Sequence, residues 1–116
     1  MMNAAIYART ASSERSLNSQ VQICREYIQE LGGSVAAIYE DLGVNGLNLD
    51  RLAMTEMLTA GSSGKFDTLV LTGIDRISRN RADVMKFISD LELLKISLII
   101  IKDSTNEFEG FDNDEN

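Results

Sequence analysis

The feature that most constrains this chain is an alternation of short apolar runs with longer stretches of helical periodicity. Ala4–Arg9, Val35–Tyr39, Phe66–Leu71 and Ser97–Ile101 are the runs. Each has the length of a strand and is bounded by polar residues or glycine. Leu17, Val21, Cys24, Ile28 and Leu31 recur at spacings of four and three and make one helical stripe, which Gly32-Gly33 closes. Glu40-Asp41 are expected to close the second strand. After Asp50 as N-cap, a second helix draws its buried face from Leu52, Met54, Met57 and Leu58, with Gly61–Gly64 as the connector that follows. Asn80 is placed to cap a third helix, with Asp83 in a capping-box position. Val84, Phe87, Ile88, Leu91 and Leu94 are its apolar face. Leu69-Val70-Leu71 and the run from Ser97 are apolar on consecutive positions, as in strands covered on both faces. Strands alternating with helices predict an α/β fold. The sheet should be mostly parallel, of four to five strands, in a three-layer α/β/α sandwich. A further short strand, if there is one, is expected around Glu107-Phe108.

With 116 residues the chain suits one domain around one core. No apolar run approaches the roughly 20 residues that span a bilayer, so no membrane segment is expected. Met1-Met2-Asn3-Ala4 lacks a basic region followed by an apolar one, so no signal peptide is expected. Cys24 is the single cysteine and cannot form an internal disulfide, which suits a reducing cytoplasm. The sequence has no histidine. That excludes Ser-His-Asp and Cys-His catalysis and argues against a zinc site; no metal or cofactor is expected. The formal charge of −7 argues against a nucleic-acid partner until its distribution is considered. Glu107, Glu109, Asp112, Asp114 and Glu115 crowd into residues 104–116, which carry no basic residue. The body, residues 1–103, is close to neutral. The tail, residues 104–116, is expected to be acidic and simply disordered, the alternative being a tail that masks a basic site.

In open parallel sheets, ligands collect beyond the carboxyl ends of the strands. Arg9 and Arg15 follow the first strand. Asp41, Asn45 and Arg51 follow the second, and Asp75, Arg76, Ser78, Arg79 and Arg81 follow the third. Among the arginines only Arg25 falls outside these loops, and Lys65, Lys86, Lys95 and Lys102 are not gathered there. Arginine is a planar fork that grips phosphate with parallel hydrogen bonds and stays charged in a pocket. Several arginines on one crevice suit a phosphodiester, whose oxygens gain negative charge during displacement. Asp75-Arg76-Ile77-Ser78-Arg79 sets two arginines three residues apart, on one side of a helical turn. The plainer alternative is pairing of these arginines with Asp50, Asp75 and Asp83. Asp75 is placed to orient Arg9, or less simply to carry a proton. Ser16, Ser19 and Gln20 open the first helix, where they either contact phosphate or simply cap it. Cys24 sits on the apolar stripe and reads as core.

Tyr7-Ala8-Arg9, Ser16-Leu17-Asn18-Ser19-Gln20, Tyr39 to Gly46, Asp50-Arg51 and Ile74 to Asn80, in this order and spacing, resemble the catalytic domain of the serine recombinases. This is the resolvase/invertase family, which includes large phage integrases and transposon recombinases. The resemblance runs from Ala4 to Asp103. It implies a flavodoxin-like sandwich with one antiparallel edge strand, and site-specific DNA strand exchange within a dimer or tetramer. In that reaction a serine attacks the phosphodiester, forms a phosphoserine link to the 5′ end, and the link is resealed without metal or nucleotide. Carried over by motif, Arg9, Arg76 and Arg79 match the arginines that hold the scissile phosphate. Arg51 matches another active-site arginine, Asp75 the adjacent acid and Gln20 the supporting glutamine. Ser12, Ser16 and Asn45 are further candidates for phosphate contact or support.

The sequence departs from that pattern in three places. The family's Tyr-x-Arg-x-Ser motif puts the nucleophile two residues after Arg9, where this chain has Ala11. Asn45 stands before Gly46 where serine is common. The sequence also ends soon after the fourth strand, short of the long helix and DNA-binding domain of the family, so a fragment is expected. An alanine methyl cannot act as a nucleophile. The chain is then an inactivated recombinase, a natural relative that has lost the chemistry, or one in which Ser12 substitutes, although one residue along an extended segment points the other way. The expectation is a recombinase catalytic domain that is inactive as written. The alternative is a non-catalytic regulatory or oligomerisation module that pairs with active subunits. A flavodoxin-like nucleotide binder is less favoured, because the loop after the first strand has no glycine.

Overall fold

The computed structural model describes residues 1–10, 13–42 and 52–101. Strand β1 (Asn3–Thr10) is the centre of the architecture and is buried from Ala4 onward. It pairs in parallel with β2 (Ser34–Leu42) on one side and with β3 (Thr68–Leu71) on the other. β4 (Ser97–Ile100) pairs in parallel with β3, which gives the order β2-β1-β3-β4. Helices α1 (Glu14–Glu30), α2 (Leu52–Ser62) and α3 (Arg81–Leu94) connect the strands, with a 3-10 turn at Ile74–Arg76. This is the α/β fold that the alternation predicts. The four described strands are all parallel. The stretch around Glu107-Phe108 and the acidic tail lie outside the described residues, as do Ala11, Ser12, Asn45, Asp50 and Arg51.

Strand alternation sorts the core between two faces. Ala5, Tyr7, Leu69 and Leu71 join Met54, Met57, Val84, Phe87 and Leu91 under α2 and α3. Ala4, Ile6 and Val70 meet Cys24 and Ile28 of α1 on the opposite face. A register shift keeps β2 in phase with this arrangement. Ala4 pairs with Val35 but Ala5 pairs with Ala37, so the extra residue between them turns the strand over. Val35 consequently packs on the α1 side, and Tyr39 packs on the α2/α3 side, tilted against Phe66 with ring centroids 6.4 Å apart.

Several element ends differ from the sequence expectation. β2 runs through Glu40 and Asp41 to Leu42 rather than closing at them. β3 begins at Thr68; Phe66, expected within it, is buried under the α2/α3 face instead. β4 is an edge strand, so its apolar run is only partly covered and Ile100 is 39% exposed. Leu31 is the exposed C-cap of α1 rather than part of its buried stripe. Leu52 starts α2 on its solvent side, 74% exposed, and Leu58 is only partly buried. Gly61, expected in a connector, is a buried residue of α2. A Cβ there would stand 2.7 Å from Ile96 Cδ1 and 3.0 Å from Phe66 Cζ, so glycine lets the helix lie close to those side chains.

The three described helices end in the same backbone motif. The N–H of Gly33 bonds Ile28 O, that of Lys65 bonds Ala60 O, and that of Ile96 bonds Leu91 O. Each needs a left-handed residue just before the donor. Gly32 (φ 77°) and Gly64 (φ 78°) supply it for α1 and α2, and Lys95 (φ 63°) supplies it for α3.

Candidate active site

β1 separates from β3 beyond Ile6, where their pairing stops at Val70. The helix after β1 packs on one face and those after β2 and β3 on the other, so the gap lies at the switch point of the sheet, where α/β proteins place their ligands. The main chain of Arg9 still needs partners on its open side. Gln20 of α1 provides them. Its Oε1 accepts from Arg9 N (3.1 Å) and its Nε2 donates to Arg9 O (3.0 Å), so the side-chain amide takes the place of a neighbouring strand. Nε2 also donates to Ser16 Oγ (3.1 Å), which ties the clamp to the first turn of α1. Ser13 caps that turn by accepting from Ser16 N (3.2 Å).

The loop after β3 closes the gap from the other side. Arg9, 3% exposed, donates from Nη2 to Asp75 O (2.7 Å) and from Nε to Arg76 O (3.1 Å). Arg76 returns the contact, Nη1 to Arg9 O (3.3 Å). The two arginines therefore hold each other's backbone. Arg9 engages the main-chain carbonyl of Asp75. The Asp75 carboxylate folds back over Gly73, with Oδ1 only 2.7 Å from where a Cβ would stand.

Ser78 and Asn80 fix the end of this loop. Ser78 is fully buried; its Oγ accepts from Asn80 N (2.9 Å) and donates to Asp83 Oδ2 (3.3 Å). Asn80 Oδ1 accepts from the N–H groups of Ala82 (2.8 Å) and Asp83 (3.2 Å) and so caps α3. Asp83 thus reaches the capping N–H through the Ser78 hydroxyl rather than directly. Arg79 stands exposed between Ser78 and Asn80, and Arg81 is exposed at the start of α3.

Ser13, Arg15, Ser16, Ser19, Gln20, Ile23, Thr72 and Arg76 line a cavity of about 320 Å³ between α1 and the end of β3. Two guanidinium groups, several hydroxyls and the N-terminus of a helix face one space, and no carboxylate is among the lining residues. That combination favours an anion. Of the residues expected at the site, Ser16, Gln20 and Arg76 line this cavity, and Arg9 and Asp75 join Arg76 through hydrogen bonds beside it. Arg79 is near in sequence but does not line the cavity. Arg51, Asn45, Ala11 and Ser12 lie outside the described residues.

Asp41, expected to close the second strand, and Thr72 belong to the same framework. Asp41 is buried, accepts from Tyr7 Oη at 2.7 Å through Oδ2, and accepts from Ala53 N at 3.1 Å through Oδ1. One carboxylate thereby ties β1, β2 and the positive end of α2 together. Thr72 is 4% exposed and lines the cavity. A hydroxyl residue directly following the apolar run Leu69-Val70-Leu71 was the available signal for it. Cys24 is buried under α1, and burial pushes its thiol up to about 12. It belongs to the core, as expected.

The parallel α/β sheet has the fold of serine recombinase catalytic domains. The chain belongs to the family described as Resolvase, N terminal domain, whose model matches residues 4–115. A resolvase from Clostridium perfringens is 30% identical over 98 residues, covering 84% of this chain and 48% of the relative. Another, from Clostridium perfringens strain 13 / Type A, is 29% identical over 104 residues, 90% of this chain and 51% of that one. The chain spans about half the length of these curated relatives. The crystal structure of the N-terminal catalytic domain of TP901-1 integrase is similar at a TM-score of 0.81 and 28% identity, over 85% of this chain and 77% of that one. The C-terminal catalytic domain of ISC1926 TnpA, an IS607-like serine recombinase, shares the fold at a TM-score of 0.81 and 24% identity, over 90% of this chain and 72% of that one. Among the described residues no helix is long and apolar enough to cross a membrane.

Proposed function

We propose that this chain is the DNA-handling catalytic domain of a serine recombinase, spanning residues 1–103 ahead of an acidic tail, and that it holds a backbone phosphate without cutting it. The observation that carries this reading is the reciprocal clamp between Arg9 and Arg76 beside the N-terminus of α1. It fixes the Arg76 guanidinium on the wall of an anion-favouring cavity. Arg79, Arg51 and Asp75 complete the set by motif, and Ser12, Ser16, Gln20 and Asn45 support it. Chemistry stops at Ala11. The chain has a methyl group where the family places its hydroxyl nucleophile, so no covalent phosphoserine forms. It works on DNA in the cytoplasm, as part of a homo-oligomer.

Two measurements test this. Binding to duplex DNA should weaken steeply as salt rises, because phosphate contacts release counterions. Arg76→Ala should lower it by about tenfold, the scale of one charge-assisted hydrogen bond. On a nicked suicide substrate run on a denaturing gel, no protein–DNA adduct should form. An adduct that disappears in Ser12→Ala would overturn the reading of Ala11. Ala11 also favours a second reading, a regulatory subunit that assembles with active recombinase subunits. Inhibition of an active recombinase by this chain, without DNA binding by the chain alone, would select it.

A further inference from the structure

The acidic stretch of the sequence follows β4, and β4 ends beside the arginine cavity. The strand runs parallel to β3, so it points to the end of the sheet where the cavity opens. Ile101 N donates to Leu71 O at 2.8 Å, and Thr72, the residue after Leu71, lines the cavity. Ile99 and Ile101 pack on the α1 face, and Ser16, Gln20 and Ile23 of α1 form the opposite cavity wall. The chain therefore passes into residues 102–116 one strand away from the site.

Charge complements this placement. Arg15 and Arg76 line the cavity, and among the described residues no carboxylate does. Residues 104–116 carry Glu107, Glu109, Asp112, Asp114 and Glu115 and no basic residue. A guanidinium grips a carboxylate with the same parallel hydrogen bonds that it offers a phosphate. Glu107 stands six residues past Ile101. An extended chain covers at most about 3.3–3.6 Å per residue, so that link reaches up to about 20 Å. We propose that residues 107–115 are an intramolecular competitor of DNA, whose carboxylates occupy the arginine cavity until DNA phosphate displaces them. Attachment to the fold sets their effective concentration on the order of millimolar. The apparent affinity for phosphate then falls with the fraction of molecules whose cavity is taken. A lone phosphate competes poorly against that, whereas duplex DNA presents many phosphates and releases counterions as it binds. The proposal rests on the DNA-phosphate reading above and adds the regulation of that same site.

The test uses the whole chain, isotopically labelled, with amide resonances followed by NMR. It is compared with a variant carrying Glu107→Gln, Glu109→Gln, Asp112→Asn, Asp114→Asn and Glu115→Gln, which loses the charge and keeps the length. Without DNA, amides of residues 13–19 and of Arg76 should differ in shift between the two chains. The difference should shrink as salt rises and screens the contact. The neutralised variant should bind a short DNA duplex about tenfold tighter at low salt, the scale of one hydrogen bond between charged groups. A control removes the same charge from the body through Glu26→Gln, Glu30→Gln, Glu40→Gln, Glu56→Gln and Glu92→Gln, all at exposed positions. It should gain clearly less affinity and leave residues 13–19 unshifted. Equal gains in the two variants would reduce the effect to net charge and overturn the proposal. Unchanged cavity amides on neutralising residues 107–115 would also overturn it, and DNA binding that persists would leave the DNA reading intact. Cavity shifts without DNA binding by either chain would support the contact and overturn the DNA reading instead.

Discussion

The sheet's two faces are held by different physics. Under α2 and α3 lies a core of large side chains, with Phe87, Met54, Met57, Leu69 and Ile77 fully buried. The α1 face has a smaller core of Ala4, Ile6, Cys24, Ile28 and Val70. Past Ile6, polar side chains replace it: Gln20 and Arg76 bond the Arg9 main chain, and Arg9 bonds the main chain of Asp75 and Arg76. Apolar contact is non-directional and supplies stability. Hydrogen bonds to backbone are directional and contribute little net stability, but an unmet group is costly. The molecule therefore keeps its stability on one face and its geometry at the edge of the other. Substitutions can separate the two.

The largest effect belongs to the apolar face. Phe87→Ala removes a fully buried ring and should destabilise the chain by about 3–5 kcal/mol, measured by urea unfolding. Phosphate binding of the fraction that remains folded should be unchanged. A lower affinity per folded molecule would mean that the two faces are coupled and that the separation is false.

Next comes the clamp itself. Gln20→Glu keeps an acceptor for Arg9 N but loses the donor to Arg9 O and sets two oxygens against each other. It should cost about 2 kcal/mol in unfolding experiments, because a carboxylate oxygen is then buried against the Arg9 carbonyl oxygen. DNA binding should fall further than the folded fraction does, since Arg76 shares the same carbonyl. A loss of binding no larger than the loss of folded protein would make Gln20 a purely structural residue.

Cys24 tests the small core through pH. Its folded thiol titrates near 12, above the ordinary 9.0, because burial disfavours the thiolate. The folded chain thus holds the proton more tightly than the unfolded chain. Stability from this group is fully present below pH 9.0 and is lost as pH rises through 9.0 toward about 12. The slope should approach about 1.4 kcal/mol per pH unit in that window and should vanish in Cys24→Ala. At pH 8 a thiol reagent should label Cys24 readily only after unfolding. Rapid labelling of the native chain would show that α1 opens locally and that this face is looser than its packing implies.

Much of this division was readable before the structure. Four apolar runs and three periodic stripes fixed the layers, because burial on two faces requires that patterning. Gln20 shares the face of Leu17, Cys24 and Ile28. A glutamine on a buried stripe must find partners, but in the sequence it points only to phosphate contact or capping; the fold supplies Arg9 as the group it clamps. The extra residue in β2 between Val35 and Ala37 left no trace, since small residues surround it and both registers look alike in sequence. Asp41 looked like a strand terminator because an acid after an apolar run usually is one; its partners Tyr7 and Ala53 are remote in sequence. Gly61 read as a linker for the same local reason, whereas the close approach of Phe66 and Ile96 explains it.

The smallest effect separates the faces most cleanly. Lys95 ends α3 with φ 63°, where the Cβ crowds the backbone and glycine does not. The equivalent positions after α1 and α2 are Gly32 and Gly64. Lys95→Gly should therefore stabilise the chain by about 1 kcal/mol in urea unfolding. It lies at the end of a helix on the apolar face, so DNA and phosphate binding should not change. Gln20→Glu, by contrast, should lose both stability and binding. Paired, the two variants separate stability on the apolar face from geometry at the site. If both leave binding untouched, or both reduce it, stability and site geometry do not divide between the two faces.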